Sequence, residues 1–341
     1  MKRIVRLASL SLVVLFLLAG TSWAQNIVKS GTSAAQFLKI GVGSRAVAMG
    51  EAFVATANDM SAIYWNPSGL AGLQKNAAMF FHADWLADIN FDHGAFAVPV
   101  SGVGTFGGFF TVLGVPEDFV RTVHDPEGTG ERFTAADYAL GVTYARQITE
   151  RFSFGITGKY IRERIWNMTA SSVAMDVGIL YVSQFHDLRI GMTMLNFGTK
   201  MQMWGRNALL FVDIDPTLDG NNEAIRAHLD MERWDIPLQF RVGVAIDPLK
   251  TENLTLTVGM DAVHPIDNKE YMNLGAELGL RNLIYLRGGY RGVGIDQREG
   301  GLTLGAGINL SMGGSSMQVG YAYVDYGRLS SVNRYTISVE F

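Results

Sequence analysis

The sequence predicts an all-β fold: a transmembrane outer-membrane β-barrel of about 14 antiparallel strands, with a small amino-terminal plug or hatch segment. Three observations carry this expectation. Hydrophobic residues make up 48% of the 341 residues, yet past the first 24 residues no run approaches the roughly 20 apolar residues of a spanning helix. Apolar residues instead recur at every second position, the period of a strand with one greasy face. The connections between these segments fall into tight turns and longer loops, as in barrels with turns on one side of a membrane and loops on the other.

The amino terminus reads as a cleaved signal peptide. Lys2, Arg3 and Arg6 precede an apolar run over 7–18, and Ser22-Trp23-Ala24 ends it with a small-x-small site. This gives three regions: a signal peptide over 1–24, a plug segment over 25–75 and a barrel over 76–341. Export and a net charge of −4 do not suggest nucleic acid as a partner. Without Cys there are no disulfides and no thiolate nucleophile.

Within the barrel, alternation is plain in single segments. Phe152, Phe154, Ile156 and Tyr160 alternate with Arg151, Ser153, Thr157 and Lys159. Leu238, Phe240, Val242 and Val244 alternate with Gln239, Arg241 and Gly243. Segments of this kind lie near 76–86, 90–100, 103–115, 133–148, 151–165, 171–183, 186–198, 236–247, 252–263, 269–280, 283–292, 300–311, 315–326 and 331–341. Each is close to the ~10 residues that a tilted strand needs to cross a bilayer. Ser101-Gly102, Thr149-Glu150, Arg281-Asn282 and Gly313-Gly314 read as tight turns, and 116–132, 199–235, 264–268 and 292–299 as longer loops.

The segment 331–341 closes the barrel against the first strand, removing sheet edges that lipid would not tolerate. Its Tyr335, Ile337, Val339 and Phe341 face lipid and resemble the sorting signal read by the bacterial barrel-assembly machinery. By parity the lumen holds Asp137, Lys159, Asp176, Arg189, Arg241, Asp261, Glu277, Arg287 and Arg291. These charges are expected to pair and fill space; the alternative is a polar path.

Residues 26–75 lack strand alternation and are rich in small residues. Asn58 or Asp59 could cap a short helix through Trp65, and Asn66-Pro67 would stop it. The stretch AAQFLKIGVGSRAVAMGEAFVATANDMSAIYWNPSGLAGL, residues 34–73, resembles the amino-terminal signature of the PorV/PorQ family. The matching positions include Arg45, Met49, Gly50, Phe53, Asp59, Tyr64, Trp65, Asn66, Pro67 and Gly69. That family is similar to the wider group of FadL-type fatty-acid channels, which have an amino-terminal hatch with an Asn-Pro motif and a fourteen-stranded barrel.

The resemblance implies a component of type IX secretion. PorV-like members receive cargo proteins through a cargo carboxy-terminal domain and carry them to a surface attachment complex with a sortase. PorQ-like members help to present lipopolysaccharide to that complex. The natural contact surface is the loop 199–235, where Trp204, Leu209, Leu210 and Phe211 form a partner surface or a lid. The alternative function is a FadL-like passive channel for hydrophobic small molecules, with a lipid or fatty-acid ligand. No enzyme is expected: the six His show no metal-ligand spacing, no Gly-x-Ser-x-Gly elbow is present, and no cofactor is implied.

Overall fold

A computed structural model describes residues 31–215, 217, 224–295 and 300–341. The expected signal peptide lies outside these residues, as does the start of the expected plug.

Fourteen strands form the wall. They are β1 (Ala77–Asp84), β2 (Asn90–Val100), β3 (Gly104–Gly114), β4 (Ala135–Thr149), β5 (Phe152–Ile165), β6 (Met168–Val182) and β7 (Arg189–Gly198). The second half comprises β8 (Gln239–Lys250), β9 (Leu254–Pro265), β10 (Tyr271–Leu280), β11 (Ile284–Val293), β12 (Leu302–Met312), β13 (Ser315–Asp325) and β14 (Ser331–Glu340). Each pairs antiparallel with its neighbour in sequence. The ring closes where β1 meets β14, from Ala77 opposite Glu340 to Ala83 opposite Arg334. Every backbone edge is thereby paired, as a bilayer requires. Each of the fourteen segments expected from alternation is a strand.

The two faces differ as the period-two pattern dictates. Phe80, Phe96, Leu140, Phe240, Leu286, Tyr335, Ile337 and Phe341 point outward and are exposed. Thr143, Thr157, Asp176, Thr193, Arg241, Asp261 and Arg334 point inward and are buried. Thr143 and Thr157 hydrogen-bond each other at 2.8 Å across the β4–β5 pair. The exposed apolar band is what lipid would cover; in water it would be an unexplained patch.

One connection departs from expectation. β6 begins at Met168, not near 171, and only Trp166-Asn167 joins it to β5 on the side of the long loops. The β4–β5–β6 wall therefore rises above its neighbours. Its extra height is used: Trp204 and Gly205 pair with Thr169 and Met168 at the top of β6. The long loop is itself built of ribbons, Met201–Gln202 with Arg233–Trp234, and Leu209–Val212 with Ile225–His228.

Candidate functional site: the filled lumen

Residues 33–75 lie inside the barrel. The segment is a chain of short turns: a 3-10 turn at Gln36–Lys39, helix α1 at Ser44–Ala48, helix α2 at Ala62–Trp65 and a 3-10 turn at Pro67–Gly72. Small side chains keep it thin, and its apolar residues, among them Phe37, Val42, Met49, Phe53 and Leu70, form the molecule's core. Trp65 is fully buried, donates from its indole nitrogen to the Val42 carbonyl at 2.7 Å and packs edge-on against Tyr64 and Phe53. The Tyr64 hydroxyl donates to the Leu38 carbonyl at 2.8 Å.

Glycines on the wall explain how a backbone fits against a sheet. A Cβ at Gly275 would sit 2.2 Å from the Met49 carbonyl oxygen, and one at Gly289 would sit 2.2 Å from the Gly50 nitrogen. Gly50 itself has φ +64°, and a Cβ there would lie 2.5 Å from the Leu274 carbonyl oxygen. The Asn-Pro turn docks similarly, with Gly155 against Pro67 and Gly178 against Asn66. Asn66 donates to the Val54 and Ile179 carbonyls at 2.9 and 3.0 Å and accepts from the Ser68 hydroxyl at 2.7 Å. Its side chain thus ties two turns of the segment to β6, while Pro67 opens the next turn with no N–H to satisfy. Gly69 fits only without a side chain, since a Cβ would lie 2.1 Å from the Ala57 carbonyl oxygen.

The helix expected from Asn58 or Asp59 to Trp65 is shorter than that. Asp59 accepts from the Ser61 amide at 2.9 Å and hydroxyl at 2.5 Å, and regular helix begins only at Ala62. Asn58 is occupied elsewhere, by Arg45.

Polar side chains join segment to wall at discrete points. Arg45 grips Glu277 through two hydrogen bonds of 2.8 Å each and reaches Asn58 and Asp59 at 2.7 and 2.9 Å. Arg287 holds the same Glu277 at 2.6 Å. Glu51 pairs with Arg291 at 2.6 Å. Asp261 accepts from the Phe53 and Val54 amides at 2.8 and 2.9 Å. Arg241 lies over the Trp65 ring, 4.9 Å from its centroid, and donates to Gln239. Two further expected lumen charges are met by the wall itself: Lys159 pairs with Asp176 at 2.8 Å, and Arg189 with Asp247 at 2.5 Å. The expected pairing fails at Asp137, which lies opposite a second acid, Glu163, whose carboxylate accepts from the Ala35 amide at 2.8 Å.

Several residues of this network escaped sequence reasoning. Arg334, fully buried, donates to the Gly41 carbonyl and the Tyr326 hydroxyl at 2.6 Å each. Glu163, Asp247 and Arg334 share the parity of the lumen residues and could have been found by it. Glu51 and Asp267 sit off the strands and carry no periodic signal. Asp267 gathers the outer end of the segment: it accepts from Lys39 at 2.9 Å, from Gln36 at 3.0 Å and from Ser33. Burial would raise this carboxyl, but the hydrogen bonds from Lys39, Ser33 and Gln36 and the Lys39 charge hold it below the usual carboxylate range.

The base of the long loop covers the mouth. Ala34 donates to the Asp235 carbonyl at 2.9 Å, and Met201 and Ile236 are buried. Its upper part stands clear. Trp204 stacks on His228 at 4.5 Å, and Leu210, Phe211, Val212, Ile214 and Trp234 are exposed, with Leu209 half-buried. The four loop residues expected to act together therefore divide, Leu209 turned partly inward and the other three outward.

Beside a pocket of about 300 Å³ at its outer end, lined by Gln36, Lys39, Glu51 and Arg291 among others, two small cavities flank the segment. One of about 30 Å³ is lined by Arg45, Asp59 and Arg287, and one of about 20 Å³ by Tyr64, Lys159 and Asp176. Each has room for about one water. Among the described residues no group of three His, Cys, Asp or Glu could hold a metal ion, and no helix is long and apolar enough to cross a membrane.

Comparison with known proteins agrees with this architecture. The profile of an uncharacterised protein family, UPF0164, matches residues 18–131. No curated protein sequence matches the chain. Among solved structures, the toluene transporter TbuX of Ralstonia pickettii superposes with a TM-score of 0.53 at 11% identity, covering 88% of this chain and 97% of its own. The P. putida toluene transporter TodX gives 0.52 at 11%, covering 88% and 96%. The monoaromatic hydrocarbon channel CymD gives 0.52 at 11%, covering 89% and 98%. At such identity the likeness concerns the fold, and the fold is that of an outer-membrane β-barrel.

Proposed function

We propose that the protein is a non-enzymatic outer-membrane barrel that passes small hydrophobic molecules, with residues 33–75 as a hatch that shifts to open the path. The observation that carries this reading is the way the segment is held. Its backbone rides on wall glycines, and its polar ties to the wall are made at separate points, among them Arg45 on Glu277, Glu51 on Arg291 and Asp261 beneath Phe53 and Val54. Sliding then exchanges hydrogen bonds at separate points without pulling large side chains through a close-packed wall. The shared fold with proteins described as toluene transporters and a monoaromatic hydrocarbon channel supports the substrate class. At the outer end of the hatch a pocket of about 300 Å³, lined by Gln36, Lys39, Glu51, Trp85, Arg291 and Tyr326 among others, has room for such a molecule, while the two smaller cavities beside the hatch do not.

A cross-link tests this directly. The Ser44 amide donates to the Thr336 hydroxyl at 2.8 Å, and the chain has no Cys. Ser44→Cys with Thr336→Cys, joined by a short reagent with two thiol-reactive ends such as a bis-thiosulfonate, should abolish toluene uptake into proteoliposomes, and reduction of the mixed disulfides should restore it. Uptake unchanged by the cross-link would sink the hatch.

A second reading has its own support. The motif at 34–73 resembles the PorV/PorQ signature, and the exposed Trp204, Leu210, Phe211 and Ile214 form a surface that a solvent loop does not need. Under it the barrel docks cargo proteins through their carboxy-terminal domain and hands them to a sortase-like complex. A mild-detergent pull-down from native outer membranes separates the two. Large proteins that share a carboxy-terminal domain and elute with a sortase-like partner favour docking; a barrel eluting alone with an apolar ligand favours passage.

A further inference from the structure

The lipid-facing wall is not uniform. Across β1–β5 it carries a trough of about 670 Å³. Register explains its shape. One row of outward positions runs Phe80, Gly94, Phe110, Leu140, Tyr160, and the row below runs Ala78, Phe96, Gly108, Val142, Gly158. Gly158 leaves the backbone bare, while the Phe110 ring lies across Gly94 and the Phe96 ring across Gly108, so these side chains form part of the floor as well as the banks. Such a trough suits a flexible hydrocarbon chain better than a flat apolar wall does, because the chain gains contact on three sides.

The row above changes character. It runs His82, Asp92, Val112, Tyr138, Arg162, and the next runs Asp84, Asn90, Gly114, Ala136, Arg164. Each step is about 7 Å along the strand. Arg162 and Arg164 thus stand directly above the Tyr160–Gly158 side of the trough, on its face, at the end towards the long loops. Both are exposed. Among the described residues neither is within salt-bridge distance of a carboxylate; Arg164 donates to the Trp166 carbonyl at 3.3 Å. The acids of these rows lie at the far, β1–β2 end, where Asp92 is taken up by His82 at 2.7 Å and Asp84 contacts His82 at 3.2 Å.

We propose that this wall holds a net-anionic, phosphate-bearing acyl lipid of the outer leaflet, its phosphate on Arg162 and Arg164 and an acyl chain in the trough. Charge complementarity and the one-step spacing between hydrocarbon seat and guanidinium pair select such a lipid over a zwitterionic one. The site lies on the outer wall and does not depend on passage or docking through the lumen.

The test uses the full-length barrel in detergent, offered equal amounts of phosphatidylglycerol and phosphatidylcholine with matched chains, and reads retained lipid by native mass spectrometry. The wild-type protein should retain phosphatidylglycerol with about a tenfold preference. Arg162→Gln with Arg164→Gln should remove the preference and leave retention of both lipids. Gly158→Leu fills the trough at a position where an added Cβ meets nothing within 4 Å, and should lower retention of both. A heat-dependent shift in gel mobility confirms that each variant is folded. Equal retention of the two lipids by wild type, a preference that survives the paired Gln variant, or retention that survives Gly158→Leu overturns the proposal.

Discussion

Residues 33–75 and residues 199–238 are the two longest stretches outside the barrel strands, and they meet opposite fates. The first is buried almost throughout; much of the second stands in solvent. Apolar content does not separate them, since both are rich in it. A prepared seat does. The inner segment is thin enough for its backbone to touch the wall, and the wall answers with glycines where it does. The outer loop carries Trp204, Phe211 and Trp234, for which the lumen offers no comparable gap, and it folds on itself into ribbons.

The comparison can be broken most strongly by filling a seat. Gly275→Leu puts a side chain where the Met49 carbonyl already lies, and is expected to cost about 3 kcal/mol or more. Residues 44–60 should become open to protease, or the barrel should fail to assemble, as read from heat-dependent gel mobility. Cutting a polar tie comes next. Arg45→Ala leaves Asp59 without its cation and Glu277 with Arg287 alone, and should destabilise the inner segment by about 2–3 kcal/mol. Faster hydrogen exchange over residues 44–60, with the strands unchanged, would be the signature.

Acid should loosen only the outer end of the segment. The Asp267 carboxyl is held below its ordinary value, so its contribution is present above the unfolded carboxylate pKa of about 3.9 and is lost as pH falls through the folded value. Protease cutting within 31–40 should rise on going from pH 7 to pH 3, while cutting within 44–60 stays low. The smallest effect on stability belongs to the outer loop. Leu210→Ser with Phe211→Ser should change barrel stability by less than about 0.5 kcal/mol. If the loop docks a partner, the same change should abolish capture in the pull-down; equal capture would argue that the exposed ribbon is only a cover.

Much of the wall was legible in the sequence because its rule is local. Period-two alternation placed all fourteen strands and put Arg241, Asp261 and Glu277 on the inner face. It missed the height of β6, since Met168–Ser171 pairs above the belt, where one face no longer has to be apolar. The inner network was legible only in part. Parity says that Glu277 points inward, but not that Arg45, more than two hundred residues away, will meet it there. Asp267 and Glu51 lie outside any repeat, and only the folded chain shows what they hold. The loop's division into a covering base and a free ribbon depends on Ala34 meeting Asp235, a contact between distant segments that no local pattern encodes.

The β1–β14 seam bears on the order of assembly. Residues 33–75 immediately precede β1, and they are bonded to both sides of the ring, through Asn66 to β6 and through Ser44 and Gly41 to β14. A ring zipped shut first would have to admit them through an end; a segment settled first would template the curvature of the strands around it. Filling and closing are therefore expected to be one cooperative event. The same coupling would slow escape, since withdrawing the segment breaks ties on opposite walls together, and the native state would then persist through a kinetic barrier as well as an energy difference.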